Sequence, residues 1–308
     1  MAESFLRIFD PVGISYFWEM DQYVGARIGG LPYDYIHRAG YRGRIQDVEV
    51  AINSRGLRTP EFSPVKAAGT RRVLILGDSV VFGWGVAQDD IVSAQCQRIA
   101  DEQSDGKWEF IGAGVGSWNT RNEYEYLVEE GDSISPDVIV LVMTSNDAQP
   151  HPAGRTEVSP DSLSAEAKRY AMPAPSGFYR ELVEHSYLFA TIRFLRRAHT
   201  IGKTRPEESC AEGSASARDA VAALEDIALY CRDRDIQLVP FLYLKADSRC
   251  RMLFDRVLRR QSVQTQSFPA KLDEKKCRNS FVDGHPNAEG HRIMAEHIMA
   301  QLISKTSD

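Results

Sequence analysis

The fold is decided by Val73-Leu74-Ile75-Leu76-Gly77-Asp78-Ser79, a run of aliphatic residues that ends in Gly-Asp-Ser. A strand that is apolar at successive positions is typical of a parallel sheet buried on both faces. A serine that directly follows such a strand lies at the carboxyl edge of the sheet, where open α/β folds bind their ligands. The segment therefore predicts a buried strand that places Ser79 at a functional edge.

Strand-like and helix-like segments alternate along the chain after this point. Three more apolar runs predict strands: Trp108 to Ile111, Asp137 to Met143, and Ile236 to Tyr243, the last with a bulge or an edge position at Pro240. Helices are predicted from a capping box at Thr120-Arg121-Asn122-Glu123 to Gly131, over Ser216 to Arg234, and after a cap at Asn287. The alternation predicts a three-layer α/β/α sandwich around a central parallel sheet.

Two regions interrupt this alternation. Residues 1–67 have no strand–helix repetition, and Val48, Val50 and Ile52 alternate with polar residues, which predicts a small β-rich preface packed on the core. Residues 68–308 form the main domain, with an insertion at about 149–216 that includes one helical segment near 178–199. Long insertions after strand ends usually shape substrate sites or lids.

The composition is that of a globular protein and excludes several classes. Among 308 residues, 37 Lys and Arg stand against 43 Asp and Glu, and the formal net charge of −6 argues against a nucleic-acid binder. The apolar runs are far shorter than the ~20 residues that span a bilayer, and the N-terminus lacks the apolar core of a signal peptide. As it stands the sequence predicts a cytoplasmic protein, although an exported domain trimmed of its leader would look the same.

The cysteines give a second indication of the compartment. They are odd in number and widely spaced, at Cys96, Cys210, Cys231, Cys250 and Cys277. We expect free thiols in a reducing compartment, with a Cys250–Cys277 pair as the alternative if the protein is exported. No His, Cys or carboxylate cluster has metal-ligand spacing, so the sequence predicts neither a metal nor a cofactor.

Three further segments place polar or small residues at the same edge as Ser79. Thr144-Ser145-Asn146-Asp147 follows the third strand, and the Asn146 amide can donate to an oxyanion. Gly112 to Thr120 follows the second strand, where small residues let the backbone approach a bound group. Asp283-Gly284-His285 precedes the last helix and offers a base with an orienting carboxylate. A serine becomes a nucleophile when a neighbouring base takes its proton and a third group holds the base.

In these segments the sequence resembles the SGNH, or GDSL, hydrolase superfamily of esterases and lipases. The matching blocks are Gly77-Asp78-Ser79-Val80, Gly116-Ser117-Trp118-Asn119-Thr120, Thr144-Ser145-Asn146-Asp147 and Asp283-Gly284-His285-Pro286-Asn287. The resemblance covers roughly residues 71–302 and implies a flavodoxin-like sheet. The layout of residues 52–86 is similar to that of bacterial members with an N-terminal preface.

The resemblance also implies a role for each matching residue. Ser79 is the nucleophile, His285 the general base and Asp283 its partner. The oxyanion hole consists of the N–H of Ser79, the N–H of Gly116 or Ser117, and the side chain of Asn146.

The sequence departs from the family pattern at three places. The usual Asp-x-x-His is one residue shorter in Asp283-Gly284-His285, a spacing shared by relatives resembling alginate-type acetyltransferases, which gives weight to acyl transfer. If that geometry fails, another carboxylate or a backbone carbonyl has to orient His285. Thr144 replaces a glycine, which should leave Asn146 able to donate. Ser117 stands where the family often has glycine, and a backbone donor tolerates serine there if its φ is negative.

The resemblance implies a serine esterase that hydrolyses short-chain acyl esters of a small molecule or a saccharide through an acyl-serine intermediate. An O-acyltransferase with the same site is the alternative. The glycine-containing segment Gly112 to Ser117 partly imitates a dinucleotide fingerprint, so a dinucleotide-binding protein is a remote alternative. The short Asp283-Gly284-His285 spacing leaves a non-catalytic glycan-binding relative as another. For substrate binding the sequence offers Asp78, Trp84, Trp118 and His151, although aromatic residues that merely pack loops would look the same.

Overall fold

The computed structural model describes residues 2–9, 14–103, 107–149, 186–192, 206–280 and 283–304. The strands are β1 (Arg27–Leu31), β2 (Asp34–His37), β3 (Arg42–Ile45), β4 (Val48–Ala51), β5 (Thr70–Gly77), β6 (Lys107–Gly114), β7 (Val138–Met143), β8 (Gln237–Leu242) and β9 (Gln266–Ser267). The last five form one parallel sheet in the order β6-β5-β7-β8-β9. This is the flavodoxin-like order, in which the direction of winding reverses between β5 and β7.

Helices cover both faces of this sheet. The helices are α1 (Ala2–Phe9), α2 (Ile14–Gly25), α3 (Ser79–Phe82), α4 (Val92–Gln103), α5 (Thr120–Ile134), α6 (Pro206–Ser209), α7 (Ala215–Asp233), α8 (Arg249–Arg260) and α9 (Ala288–Ser304), with 3₁₀ turns at Gln88–Asp90, Ala270–Asp273 and Lys275–Cys277. Residues 187–192 are also helical. None of the described helices is both long and apolar enough to cross a bilayer.

The core lies in two layers, because successive residues of each strand point to opposite faces. Leu74 and Leu76 pack with residues of α5, α7 and α8, whereas Val73 and Ile75 pack with residues of α4 and α9. The predicted three-layer sandwich around a parallel sheet is thus confirmed. The pairing of β7 with β8 continues through Pro240 without a bulge. On the other side of β8, the described pairs with β9 are at Phe241 and Leu242, so Pro240 is not paired with β9.

The region before the sheet contains more than strands. The hairpins β1–β2 and β3–β4 are antiparallel, in keeping with the predicted β-rich character. Helices α1 and α2 precede them and were not predicted. In α1 the apolar Phe5, Ile8 and Phe9 have the spacing of an amphipathic helix, and all three side chains are exposed.

Helix α5 corrects two predictions of its ends. Its cap is Asn119, which exchanges hydrogen bonds with Asn122, rather than Thr120 with Glu123. The Thr120 hydroxyl is engaged elsewhere, since it donates to the Asp147 carbonyl. The helix does not end at Gly131, where a Cβ would lie 2.2 Å from the Tyr230 hydroxyl, but continues to Ile134. The predicted cap of α9 is confirmed by the bond from the Gly290 N–H to Asn287.

The cysteine prediction is wrong for two of the five residues. A disulfide joins Cys210, which follows α6, to Cys250 in α8. Cys96, Cys231 and Cys277 are free and buried, so the alternative Cys250–Cys277 pair is wrong as well. Spacing alone could not reveal the bond, because the disulfide partners are 40 residues apart and are brought together only by the packing of α6 beside α8.

Candidate active site

The turn after β5 presents Ser79 at the first position of α3. Asp78 caps this helix, since one carboxylate oxygen accepts the Val80 N–H at 2.8 Å and the other accepts the Thr144 hydroxyl at 2.9 Å. The Asp78 side chain is buried and each of its oxygens accepts a hydrogen bond from the protein, so its contact with substrate stays a prediction. Its role in the structure is to fix the turn that carries Ser79.

A buried cation that no sequence pattern indicates supports the far end of this turn. Arg58 donates to the carbonyls of Gly83 and Val86, each at 2.7 Å, and to that of Phe82 at 3.2 Å. Burial lowers the pKa of Arg58 to about 10. The guanidinium thereby satisfies carbonyl groups of the loop that follows α3.

A continuous chain of hydrogen bonds links Asp283, His285 and Ser79. The Ser79 hydroxyl lies 2.9 Å from His285 Nε2, and His285 Nδ1 lies 2.5 Å from Asp283 Oδ1. Burial raises the pKa of Asp283, but the hydrogen bond from His285, its charge and the Asn279 amide outweigh burial and hold that pKa below its usual value. A carboxylate accepts only, so Nδ1 carries a proton, and whenever the ring is neutral Nε2 is free to accept from Ser79.

The short spacing of Asp283 and His285 is accommodated by a tight turn. Asp283 Oδ1 accepts the main-chain N–H of His285 at 3.1 Å in addition to the ring N–H. Asn279 donates to Asp283 Oδ2 at 2.9 Å and to the Trp84 carbonyl at 2.6 Å. Asn279 lies outside the matching blocks and was not predicted as a site residue. Its amide connects the Asp283 carboxylate to the loop that follows Ser79.

Asn146 is fixed beside this chain by its own amide. Its Oδ1 and Asp78 Oδ2 share the single proton of the Thr144 hydroxyl, and its Nδ2 donates to the Trp118 carbonyl at 3.1 Å. Burial raises the pKa of Asp78. Hydrogen bonds from the Val80 N–H, the Thr144 hydroxyl and the Asn146 amide offset part of that rise. Asn146 therefore presents its N–H end to the segment around Trp118 and Asp78.

The two backbone donors proposed for the glycine block differ in their partners. The Gly116 N–H donates to the Tyr23 hydroxyl at 2.6 Å. Within the described residues, the N–H groups of Ser117 and Ser79 form no hydrogen bond. Ser117 has a φ of 67°, so the condition of a negative φ is not met and serine adopts the left-handed conformation there. Of the two candidates, Ser117 is the one whose N–H is available.

The aromatic residues suggested for substrate binding are buried. Trp84 and Trp118 are 1 % and 0 % exposed, and their contact with substrate stays a prediction. Trp118 donates its ring N–H to the Tyr35 carbonyl. His151 lies outside the described residues. His291 of α9 is buried and accepts the Val92 N–H at 3.0 Å.

The Gly112–Ser117 segment lacks the geometry of a dinucleotide-binding turn. The Gly112–Ser117 segment does not enter a helix directly, because α5 begins at Thr120 with Asn119 as its cap. The Gly116 N–H is already bound by Tyr23. Across the described ranges, no group of three or more His, Cys, Asp or Glu side chains is arranged to hold a metal ion.

The fold and the arrangement at its carboxyl edge define a hydrolase of the three-layer α/β class. Residues 75–293 match the family model described as GDSL-like Lipase/Acylhydrolase family. Because the match spans well over half of the chain, the chain belongs to this family.

The chain is also distantly similar to solved structures. The psychrotrophic esterase EstA from Pseudoalteromonas sp. is 12 % identical, with a TM-score of 0.47 over 77 % of this chain and 100 % of that one. TesA is 14 % identical, with a TM-score of 0.48 over 75 % and 98 % of the two chains. The lipase/acylhydrolase from Enterococcus faecalis is 11 % identical, with a TM-score of 0.45 over 76 % and 96 %. No curated protein sequence matches the chain.

Proposed function

We propose that the protein is a serine esterase that cleaves short-chain acyl esters of a small molecule or a saccharide through an acyl-Ser79 intermediate. The observation that supports this is the hydrogen-bond chain from Asp283 through His285 to the Ser79 hydroxyl. A base within bonding reach of a serine, itself held by a carboxylate, is the arrangement that activates a hydroxyl for attack.

In the proposed reaction, Ser79 Oγ attacks the ester carbonyl while His285 Nε2 takes its proton. Asp283 holds the ring and stabilises the imidazolium that forms. The oxyanion accepts hydrogen bonds from the N–H groups of Ser79 and Ser117 and from the Asn146 amide. The alcohol leaves with the proton from His285, and water then attacks the acyl-serine by the same route and releases the carboxylic acid.

The test is turnover of p-nitrophenyl acetate by Ser79→Ala and Asn146→Ala. We expect Ser79→Ala to show no turnover above buffer, and Asn146→Ala to lose about 10²–10³ in kcat, the usual cost of one oxyanion donor. Ser145→Ala, in the same loop as Asn146, is the matched control and should retain wild-type turnover. A fluorophosphonate should label the wild type at Ser79, as located by peptide mass spectrometry. Unchanged turnover in Ser79→Ala would overturn the proposal.

A panel of esters identifies the acyl group and its acceptor. Acetyl, butyryl and longer p-nitrophenyl esters and acetylated sugars are compared by kcat/KM, and free carboxylic acid is measured with and without an added glycan. The proposal predicts preference for the short acyl groups and release of free acid. Transfer of the acyl group to the glycan in place of acid release would make the protein an acyltransferase.

A further inference from the structure

Two tyrosines from the N-terminal region hold the backbone of Gly116. Tyr23 in α2 accepts the Gly116 N–H at 2.6 Å, and the Tyr35 hydroxyl from β2 donates to the Gly116 carbonyl at 3.2 Å. A Cβ at position 116 would lie 2.9 Å from the Tyr23 ring, so glycine is required for this close approach. The loop that precedes α5 is thus held by residues that lie far before it in the chain.

The contact with the carbonyl also sets the direction of the next N–H. The Gly116 carbonyl and the Ser117 N–H belong to one planar trans peptide, in which they point in opposite directions. With its carbonyl bound to Tyr35, this peptide directs the Ser117 N–H away from Tyr35. A donor on the carbonyl also polarises the peptide and strengthens its N–H as a donor.

The Tyr23 hydroxyl is oriented by a buried histidine. It lies 2.8 Å from His37 Nε2, and His37 Nδ1 lies 3.0 Å from the Gly56 carbonyl. Burial lowers the pKa of His37 to about 3, so the ring is neutral and carries its one proton on Nδ1, facing the carbonyl. His37 Nε2 must then accept from Tyr23, which leaves the Tyr23 oxygen to accept the Gly116 N–H.

Further contacts hold the two tyrosines against the loop. The Arg27 guanidinium lies over both rings, 4.2 Å from the Tyr23 centroid and 4.6 Å from that of Tyr35. Trp118 donates its ring N–H to the Tyr35 carbonyl at 2.9 Å. The α2–β2 region is therefore bound to the loop on both sides of the Gly116–Ser117 peptide.

We propose that Tyr35 and Tyr23 are positioning residues that fix the Gly116–Ser117 peptide so that the Ser117 N–H faces the oxyanion. This inference rests on the proposed esterase function. It makes the N-terminal region part of the catalytic apparatus, acting through the backbone of Gly116 and without touching the substrate.

The experiment compares Tyr35→Phe and Tyr23→Phe with Tyr33→Phe on p-nitrophenyl acetate. Tyr33 is the matched control, because it lies in the same hairpin and packs on Trp118 and Tyr126 but forms no hydrogen bond with Gly116 in the described part of the chain. We expect Tyr35→Phe and Tyr23→Phe each to lower kcat about tenfold at nearly constant KM, since misplaced catalytic groups cost rate more than binding. Tyr33→Phe should stay within about twofold of the wild type in kcat and KM.

A double-mutant cycle separates positioning from a general loss of structure. If Tyr35 acts through the oxyanion hole, Tyr35→Phe should lower kcat much less in the Asn146→Ala background than in the wild type. If the two substitutions act independently, the fold-losses in kcat should multiply. Circular dichroism and Tm confirm that each variant is folded. Should Tyr35→Phe fail to fold, the same cycle with Tyr23→Phe decides the question.

The outcomes distinguish this inference from the proposed function. If Ser79→Ala is inactive while Tyr35→Phe and Tyr23→Phe match Tyr33→Phe, the positioning inference fails and the esterase stands. If Ser79→Ala retains turnover, the proposed function fails whatever the tyrosine variants do. Effects that multiply fully with Asn146→Ala would also overturn positioning.

Discussion

At the scale of single residues, the most unusual group is the carboxyl of Glu123. It is completely buried in α5, and neither of its oxygens has a hydrogen-bond partner in the described part of the chain. Burial raises the pKa of Glu123 well above its usual value, and the charges of Asp147 and Asp78 raise it further. Burial likewise raises the pKa of Asp147, whose Oδ2 accepts the Thr144 N–H. The Asn146 loop therefore folds next to carboxyls that favour their protonated forms.

The raised pKa of Glu123 predicts a stability that depends on pH. The folded protein retains a proton that the unfolded chain releases above about 4.5, so the free energy of unfolding falls as the pH rises from that value toward the folded pKa. Glu123→Gln removes this titration and keeps the shape of the side chain. We expect it to raise the free energy of unfolding by about 1–3 kcal/mol at pH 8 and by much less at pH 5.

Urea unfolding of the wild type and of Glu123→Gln at pH 5 and pH 8 measures the difference in their free energies of unfolding. Glu129→Gln, an exposed position of the same helix, is the control and should differ from the wild type by no more than about 0.5 kcal/mol. A gain that does not grow with pH, or a loss of stability at pH 8, would contradict the assignment of a buried protonated carboxyl.

At the scale of elements, the nucleophile depends on how closely β6 approaches α3. Gly114 ends β6 opposite Gly77 of β5. A Cβ on Gly114 would lie 2.1 Å from the Phe82 nitrogen and 2.5 Å from the Val81 carbonyl carbon. Backbone atoms of a helix cannot move aside alone, so any side chain there has to displace α3 and Ser79 with it.

Gly114→Ala should therefore reduce both stability and activity. We expect a loss of about 1–3 kcal/mol, the usual cost of overpacking, together with a fall in kcat for p-nitrophenyl acetate. The matched variant is Gly284→Ala, which lies between Asp283 and His285 and where a Cβ would meet nothing within 4 Å. Gly284→Ala should stay within about 1 kcal/mol of the wild type by urea unfolding. Equal stability of the two variants would show that α3 yields to the added methyl.

Elements and site residues differ in how far the sequence predicts them. Strands β5 and β7 were predicted because an apolar run is a local signal, and Ser79 and His285 because their motifs are local as well. The predicted cap of α5, Thr120, lies one residue after the observed cap, Asn119. Both residue types cap helices well, and the distant Asp147 carbonyl decides between them by binding the Thr120 hydroxyl. Tyr23 was missed because its contact with Gly116 spans 93 residues and leaves no pattern in either segment.

At the scale of the whole molecule, the N-terminal region and the sheet are joined through buried polar contacts. Arg58 binds carbonyls after α3, and Tyr23 and Tyr35 bind the Gly116 backbone before α5. The Val86 carbonyl and the Gly116 N–H would lose these partners if the N-terminal region were removed, and buried polar groups are costly to leave unpaired. The two loops that carry Ser79 and Ser117 thus depend on the same upstream region for their conformation.

The Cys210–Cys250 disulfide is the covalent link in this architecture, and it fixes the end of the long segment that follows β7 onto α8. Closing a loop of 40 residues lowers the entropy of the unfolded chain, which corresponds to about 3–4 kcal/mol of stability in the chain-entropy model.

Alkylation of the unfolded protein should modify three cysteines without reductant and five with it, as counted by intact mass. Reductant should lower Tm of the wild type and leave Tm of Cys210→Ala/Cys250→Ala unchanged. If protein equilibrated in an oxidising glutathione buffer still offers five thiols, the bond does not form in solution, and packing alone holds α6 beside α8.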